Sequence, residues 1–535
     1  MALDRRAFLR GSAGAAIGLS SLASVSAVSG CVSPGRPHQS AVFRHGVASG
    51  DPLADRVILW TRATPTAGAA RSFPVRWVVA EEPDLSDPVA SGSVVAGTVR
   101  DYTVKVDVDG LEPGRAYYYR FEALGDASAV GRTRTLPVGS PDRVRLAFCS
   151  CANVAWGFFN AYALIARRAD LDAVLHLGDY LYEHANGTYG DGTAIGRVPE
   201  PDREILSLAD YRTRHAQYKR DPDLQEAHRQ HPFVTVWDDH ELADNAWRGG
   251  ATNHQPHEGE WSERRRNALR AYLEWMPIRE FGREGAGRGW RRLPFGDLVD
   301  LIVLETRLER DQQVADPRDL AERTRPDRTL LGAEQEAWLE RQIADSKRQG
   351  MAWRVLAQQV AMAPMRDEAG AIRNPDAWDG YPISRDRVLG QLEREGIRDN
   401  VVLTGDLHSS WAIDVPRDPE PVGPVGRRGS VAVEFVTPGI SSPGVLDPVR
   451  AEQRAEEVLA EQPHVQWVDF FHRGYALLDV DRERAQCEWW HVKTVDRPLA
   501  KERFARAFRS RRGSDRLEPV DRPSDPPSSA PDPAP

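Results

Sequence analysis

Four short apolar segments of the sequence each run directly into side chains that could bind a metal ion or transfer a proton. The segments fit buried parallel strands, and ligands in an α/β sheet bind beyond the carboxyl ends of such strands. The sequence therefore predicts one metal site at the edge where these strand ends meet. The four combinations are residues 144–148 followed by Cys149-Ser150-Cys151, residues 173–177 followed by Gly178-Asp179 and Tyr182, residues 233–237 followed by Asp238-Asp239-His240-Glu241, and residues 401–404 followed by Gly405-Asp406 and His408.

Taken singly, each of these groups has an ordinary structural explanation. Asp179 and Asp239 could cap helices, and Tyr182 could pack in the core. His408 could be a hydrogen-bonded core residue, and Cys151 a small buried apolar group. The same arrangement recurs at four strand ends, however, and this recurrence favours a metal site over four independent explanations.

The types of ligand indicate which metals the site would hold. A phenol such as that of Tyr182 has an ordinary pKa near 10, so it binds well only to a cation acidic enough to remove its proton. Ferric iron meets that demand better than zinc or magnesium, and a thiolate from Cys151 also suits iron. The carboxylates suit hard divalent ions such as calcium. The donor types therefore favour Fe³⁺ together with a hard divalent ion such as Ca²⁺.

Three of the strand ends resemble motifs of known metallophosphatases. Gly-Asp-x-x-Tyr at residues 178–182 is similar to the iron-binding motif of purple acid phosphatases. Asp-His-Glu at 239–241 stands where the wider metallophosphatase superfamily has Asn-His-Asp or Asn-His-Glu. Gly-Asp-Leu-His at 405–408 stands where that superfamily has Gly-His-x-His. The first strand end departs from the superfamily, because it offers Cys151 instead of an Asp-x-His or Asp-x-Gly motif.

A cysteine at the position of Cys151 resembles the first strand end of the PhoD family of alkaline phosphatases. Other segments with this resemblance are Ser-Gly-Asp-Pro at 49–52, Ile-Leu-Trp-Thr-Arg at 58–62 and Trp-Asp-Asp-His-Glu at 237–241. The resemblance covers about residues 40–500, and it implies a metallophosphatase-like α/β/β/α sandwich. It also implies a secreted, metal-dependent phosphoric ester hydrolase that cleaves phosphate mono- or diesters with a metal-bound hydroxide or oxide.

The resemblance assigns the metal ligands residue by residue. Asp179 would bridge the two kinds of metal. The ferric iron would be held by Cys151, Asp179, Tyr182 and His408, and the neighbouring calcium by Asp179, Asp239 and Asp406.

The resemblance also suggests residues that would act on the substrate. His240 would donate a proton to the leaving oxygen or stabilise its charge. Arg307, which follows another predicted strand, is a candidate phosphate clamp; a surface salt bridge is an equally good explanation for it. Asn245 is a weaker candidate.

Two other functions remain open from the sequence. One is a phospholipase D-like phosphodiesterase that acts on lipid head groups or cell-wall polymers, since the same metals serve both reactions. The other is a non-catalytic envelope lipoprotein that binds phosphate. The second is disfavoured, because binding alone would not require a tyrosine and a cysteine on one metal.

The elements that must position these residues fall into a predicted order along the chain. Residues 40–138 fit short strands separated by turns, which predicts a fibronectin III-like β-sandwich with Tyr117 as its tyrosine corner. This region lacks ligand clusters, so we expect it to be needed for stability but dispensable for metal binding. Residues 142–500 alternate strands and helices, which indicates an α/β catalytic domain. Residues 510–535 are rich in Pro, Ser and Asp, which predicts a disordered tail.

The N-terminal segment and the overall charge indicate where the protein works. Asp-Arg-Arg-Ala-Phe-Leu at 4–9 is typical of a twin-arginine export signal, so we expect residues 1–31 to be a signal peptide recognised by the twin-arginine machinery. Val-Ser-Gly-Cys at 28–31 resembles a lipoprotein cleavage box, with Cys31 as a candidate lipid anchor; ordinary cleavage nearby is the alternative. The expected location is periplasmic or extracellular. The formal net charge of −9 argues against nucleic acid as the main partner.

Overall fold

The protein is described by a computed structural model that covers residues 40–280, 288–367, 371–417 and 429–535. The predicted signal peptide at residues 1–31, with Cys31, lies outside the described residues. Within them the chain combines large sheets with helices, which confirms the predicted α/β class.

The strands of the described residues form three sheets. In chain order they are β1 (Val47–Gly50), β2 (Val57–Arg62), β3 (Ser72–Ala80), β4 (Pro88–Gly97), β5 (Thr103–Val108), β6 (Ala116–Ala123), β7 (Asp126–Ala127), β8 (Gly131–Arg134), β9 (Arg143–Cys149), β10 (Ala173–His176), β11 (Pro232–Thr235), β12 (Arg291–Phe295), β13 (Val299–Val303), β14 (Trp353–Gln358), β15 (Asn400–Thr404), β16 (Ser410–Pro416), β17 (Ser430–Val436), β18 (Val465–Asp469), β19 (Gly474–Asp481), β20 (Arg484–Val492), β21 (Glu502–Arg511) and β22 (Leu517–Val520).

The α-helices follow the predicted alternation with strands in the second part of the chain. None of the helices in the described ranges combines the length and apolar character that a membrane span requires. They are α1 (Asn160–Ala166), α2 (Leu208–Tyr218), α3 (Pro222–Gln230), α4 (Trp261–Trp275), α5 (Leu320–Arg323), α6 (Gly332–Arg348), α7 (Pro382–Arg394) and α8 (Pro448–Glu461).

Two large sheets share one apolar core. The ten-stranded sheet has the order β22-β21-β20-β19-β9-β10-β11-β1-β2-β5, and the seven-stranded sheet has the order β12-β13-β14-β15-β17-β16-β18. Side chains of both sheets meet in that core, among them Leu175 and Leu403. Helices α1 to α4 pack on the other face of the first sheet, and α6 to α8 on the other face of the second. Each fully buried Leu stabilises the fold by about 1.5–3 kcal/mol.

The strand ends that carry the predicted ligands lie at one edge of this core. Strands β9, β10 and β11 are parallel, and so are β13, β14, β15 and β17. The two sheets meet beyond their carboxyl ends, where Ser150 forms an isolated parallel bridge with Gly439. The Thr437 hydroxyl also donates a hydrogen bond of 3.1 Å to the carbonyl oxygen of Phe148. Loops from both sheets are thereby brought together.

The N-terminal region shares one sheet with the second part of the chain. It does contain two sheet faces with an apolar core between them, and the Tyr117 hydroxyl accepts a hydrogen bond from the Glu112 N–H. However, only β3, β4, β6, β7 and β8 form a sheet of their own. Strands β1, β2 and β5 extend the ten-stranded sheet, because β1 pairs in parallel with β11. Three strands of the predicted N-terminal region therefore belong to a sheet of the second part of the chain, and the domain boundary near residue 138 stays a prediction.

The predicted disorder of residues 510–535 is also wrong. Strand β22 pairs with β21, and the last residues lie against the N-terminal sheet and α3. The Tyr118 hydroxyl donates to the carbonyl oxygen of Asp532 at 2.6 Å, and Gln230 forms hydrogen bonds with both backbone groups of Ala534. A proline-rich segment cannot build a core of its own, but these contacts bind its backbone to an existing surface.

Candidate metal centre

The four predicted strand ends converge as the sequence indicates. Three buried groups of side chains lie beside one another, and within each group the ligand atoms are within 4.8 Å of one another. Asp179 and Asp239 each belong to two of the groups, so the groups form one continuous cluster. They consist of Cys151, Asp179 and His408; Asp179, Asp239 and His240; and Asp238, Asp239 and Asp406.

The loops after the strands adopt backbone conformations that few residues tolerate. Cys151, Asp179, Asp406 and His408 have φ angles of 62°, 54°, 58° and 52°, in the left-handed region. Such strain persists where the surrounding structure enforces it, and it is concentrated at functional sites. Gly178 turns more sharply still, because a Cβ there would lie 2.4 Å from the Cβ of Asp238. These turns aim ligand side chains of separate strands at one point.

Tyr182 joins the first group through its hydroxyl oxygen. The phenol donates to Asp179 Oδ2 at 2.9 Å, accepts from Ser442 Oγ at 2.7 Å, and lies 3.1 Å from His408 Nε2. The Nδ1–H of His408 donates to the Pro443 carbonyl oxygen at 2.8 Å, so Nε2 is the nitrogen that faces the cluster. A thiol, a carboxylate, a phenol and an imidazole therefore point at one small volume. This donor set fits a metal ion.

Glu241 fixes the distance between two of the ligand loops. Its buried carboxylate accepts hydrogen bonds from the backbone N–H groups of Asp179, Tyr180 and Asp238, at 3.1, 2.6 and 2.9 Å. Burial, together with the charge of Asp179, raises the pKa of Glu241 to about 8. Glu241 contacts the backbone of the loops that carry the ligands and thus holds Asp179 against the β11 loop.

Arg307 lies inside the cluster and is completely buried. Its guanidinium pairs with Asp238, with Asp376 at 2.5 Å and with Asp406 at 3.0 Å. The alternative that Arg307 forms a surface salt bridge is therefore wrong. Burial disfavours the charged form, but these carboxylates outweigh it and raise the pKa of Arg307. The role of phosphate clamp stays a prediction.

Asn245 lies on the same side of the cluster as Arg307. Its backbone N–H donates to Asp239 Oδ2 at 2.6 Å, and its side-chain amide faces both carboxylate oxygens of Asp376. Asp376 in turn accepts a hydrogen bond of 2.6 Å from Arg310. Asn245 therefore contacts a predicted calcium ligand through its backbone.

His240 is oriented by a carboxylate that the sequence analysis did not assign. Its Nδ1 lies 2.6 Å from Glu183 Oε2, whereas its buried Nε2 has no hydrogen-bond partner among the described residues. Burial disfavours the imidazolium, but the charges of Glu183, Asp239 and Asp179 outweigh it and raise the pKa of His240 to about 10. The imidazolium can therefore donate its Nε2–H into the site.

Sequence reasoning missed several residues that hold the site together. Glu183 directly follows Tyr182 in a loop that carries predicted ligands, and this position could have marked it as a site residue. Asp238 was grouped with the possible ligands of its strand end, but no metal was assigned to it. Asp376 and Ser442 lie in loops that follow no strand of the ligand pattern, and nothing in their local sequence marks them.

Comparison with protein families shows to which family the chain belongs. The family model described as PhoD-like phosphatase matches residues 146–489, which carry all of the converging ligands. The chain belongs to the PhoD-like phosphatase family. A second model, for the N-terminal domain of PhoD-like phosphatases, matches residues 30–137. The resemblance inferred from the strand-end motifs is thus confirmed.

Individual relatives of this PhoD-like phosphatase agree with the family match. The chain is 36% identical to alkaline phosphatase D of Bacillus subtilis (strain 168) over 520 residues, which cover 93% of this chain and 86% of the relative. The solved structure of PhoD matches with a TM-score of 0.83 and 34% identity, covering 92% of this chain and 94% of that chain. The prediction of an enzyme that hydrolyses phosphoric esters is confirmed.

Proposed function

We propose that this PhoD-like phosphatase hydrolyses phosphate monoesters and diesters at a centre of ferric iron and calcium. The observation that carries the proposal is the convergence of thiol, phenol, imidazole and carboxylate groups at the ends of β9, β10, β11 and β15. The two sheets and their helices would then form the metallophosphatase sandwich that the resemblance implies.

The iron would be held by the group around Tyr182. The phenol would lose its proton when the metal binds, because a strongly acidic cation lowers the pKa of a ligand that it coordinates. The hydrogen bond from Ser442 Oγ to the phenol oxygen supports the anionic form. Cys151, Asp179 and His408 complete this set, and the Pro443 carbonyl fixes the ring of His408.

The calcium would be held by Asp179, Asp239 and Asp406, whose oxygen atoms suit a hard cation. Asp238 lies in the same group and is an additional candidate ligand. Arg307 positions Asp238 and Asp406 through hydrogen bonds. When bound, the metals would supply positive charge that neutralises the phosphate and lowers the pKa of a coordinated water.

His240 would protonate the leaving oxygen. Glu183 accepts from Nδ1, so the proton that can be transferred is on Nε2, which faces the carboxylate cluster. The ring of Tyr182 restricts the imidazole from one side, because its centroid is 4.2 Å from that of His240 and the two ring planes are tilted by 36°. Glu183 is a positioning residue in this scheme, because it acts on the substrate through His240.

The proposal is tested by metal analysis and two chromogenic substrates. Purified protein should contain iron and calcium and should hydrolyse both p-nitrophenyl phosphate and bis(p-nitrophenyl) phosphate. Asp239→Asn should lose calcium and about 100-fold or more of the activity. Asp300→Asn is the matched control, since Asp300 is equally buried and pairs with Arg292 away from the site. Full activity with zinc alone would contradict the metal assignment, and absence of hydrolysis would contradict the function.

We further propose that the enzyme is exported by the twin-arginine pathway and anchored by lipid at Cys31. The support is the Asp-Arg-Arg-Ala-Phe-Leu segment at 4–9 and the Val-Ser-Gly-Cys box at 28–31. One acyl chain gives only marginal membrane binding, so a stable anchor needs two or more. Mass spectrometry of the mature N-terminus checks this, and an unmodified residue downstream of Cys31 would exclude it.

A further inference from the structure

A cavity of about 360 Å³ opens directly beside the metal centre. Asp406 and His408, both proposed ligands, form part of its wall, and so do Asn245 and Asp376. A substituent of a phosphate held at the centre could therefore extend into this cavity. The volume lies within the range of small-molecule sites in proteins.

The rest of the wall is mainly apolar. Met365, Trp411 and Phe470 line it, and the Trp411 and Phe470 rings contact edge to face, with centroids 5.2 Å apart. The indole N–H of Trp411 donates to Ser409 Oγ at 2.7 Å, so its polar atom is satisfied within the protein. Val458 of α8 adds another buried aliphatic side chain. An apolar wall with satisfied polar atoms favours an apolar occupant.

Two arginines also line the cavity, and their contacts are with the protein. Arg373 pairs with Glu461 and donates from Nε to the Arg366 carbonyl oxygen. The guanidinium of Arg454 lies 5.0 Å from the centre of the Phe470 ring. Because these cations could instead attract an anionic group, the experiment below includes a negatively charged chain.

Four large apolar side chains between residues 446 and 471 are exposed to solvent. Leu446 and Val449 are exposed by 47% and 62%, and Leu459 and Phe471 by 40% and 36%. These residues lie in the segment that also supplies Val458 and Phe470 to the cavity wall.

We propose that this cavity binds the apolar part of the alcohol in the phosphate ester, so that preferred substrates are phosphate esters of alcohols with an alkyl chain. The inference rests on the proposed function, because it places the phosphate at the metal centre. Burial of one methylene group is worth about 0.8 kcal/mol, which corresponds to an increase of about fourfold in kcat/KM.

The test measures kcat/KM for glycerol phosphate and for butyl, hexyl and octyl phosphate, each below its aggregation concentration. For hydrolysis of the alkyl esters, kcat/KM should rise about fourfold per added methylene until the chain fills the cavity. A hexyl phosphate that ends in a carboxylate should be a poorer substrate than hexyl phosphate. Preference for the carboxylate chain would show that the arginines select an anion, and would overturn the proposal.

Variants of the wall identify where the chain binds. Met365→Gln and Val458→Thr should each lower the ratio of octyl to glycerol phosphate hydrolysis several-fold, because they add polar atoms to the wall. Leu459→Gln is the matched control on the same helix, outside the cavity, and it should leave the ratio unchanged. If no ester is hydrolysed, the proposed function fails. If all esters are hydrolysed at rates independent of chain length, the function stands and the cavity inference fails.

Discussion

Glu183→Gln tests whether His240 acts as a proton donor and Glu183 as the residue that orients it. The change removes one negative charge and leaves the size of the side chain almost unaltered. Glu183 Oε1 also accepts from the Asp244 N–H at 2.8 Å and from Asn253 Nδ2 at 2.9 Å. A glutamine oxygen can still accept these two bonds. The substitution should therefore mainly weaken the 2.6 Å hydrogen bond with His240 Nδ1.

The expected magnitude follows from that single contact. A buried hydrogen bond to a charged group is worth about 1.5–3 kcal/mol. If the imidazolium gives up its proton in the rate-limiting step, kcat should fall by about 10- to 150-fold. Without the Glu183 carboxylate, the largest charge that raises the pKa of His240 is gone, so that pKa should fall.

The assay compares two leaving groups. Nitrophenolate leaves readily as an anion, whereas an alkoxide needs a proton as its bond to phosphorus breaks. Glu183→Gln should therefore slow an alkyl phosphate much more than p-nitrophenyl phosphate. The control is Glu204→Gln, since Glu204 is half-buried nearby and pairs with Arg264 at 2.8 Å without contacting His240. Metal content should match wild type in both variants.

Two results would refute this reasoning. An equal loss on both substrates would show that Glu183 supports the fold or the metal site and has no effect through proton transfer. A double variant of Glu183→Gln with His240→Gln tests whether the two residues act together, because the effects of mutations in residues that act as one unit do not add. The double variant should be no slower than His240→Gln alone, and additive losses would separate the two residues.

Three further predictions concern the ligands, the N-terminal strand and the tail. In iron-loaded protein, Tyr182→Phe should remove a visible charge-transfer band, and an unchanged absorption spectrum would show that Tyr182 is not an iron ligand. Gly50→Ala should lower the free energy of unfolding by about 1–3 kcal/mol in denaturant titrations, because a Cβ there would lie 2.2 Å from the Pro277 carbonyl oxygen; unchanged stability would show that β1 can shift. Deletion of residues 523–535 should cost about 1–3 kcal/mol, since the hydrogen bonds to Tyr118 and Gln230 are partly offset by the entropy of ordering the tail; an unaltered melting temperature would contradict this.

The candidate ligands could be predicted because they lie next to strongly patterned segments. A buried strand appears in the sequence as a run of apolar residues. Because ligands bind beyond the carboxyl ends of such strands, the residues that follow each run are the candidates. Strand β11 ends at Thr235, two residues earlier than its apolar run suggests, yet Asp239 and His240 still reach the cluster. An error of two residues in the end of a strand does not change the predicted ligands, because the prediction depends only on which loop follows which strand.

The residues that hold the ligands in place could not be predicted in the same way. Ser442 contacts Tyr182 across 260 positions of sequence, and Asp376 contacts Arg307 across 69. Neither contact has a local pattern. The first depends on how the two sheets pack, and the second joins loops that follow the neighbouring strands β13 and β14. The ordered tail was missed for the same reason, because its composition predicts only that it has no core of its own.

The N-terminal strand shows why absence of ligands is a poor guide to independence from the site. Asp51, directly after β1, accepts hydrogen bonds from Arg291 and from the Arg279 N–H. Arg291 also donates to the carbonyl oxygen of Thr235, the last residue of β11, at 2.8 Å. Asp239 follows in the loop only four residues later. The strand that supplies no ligand therefore fixes the end of one that does, and this argues against the expectation that the N-terminal region is dispensable for metal binding.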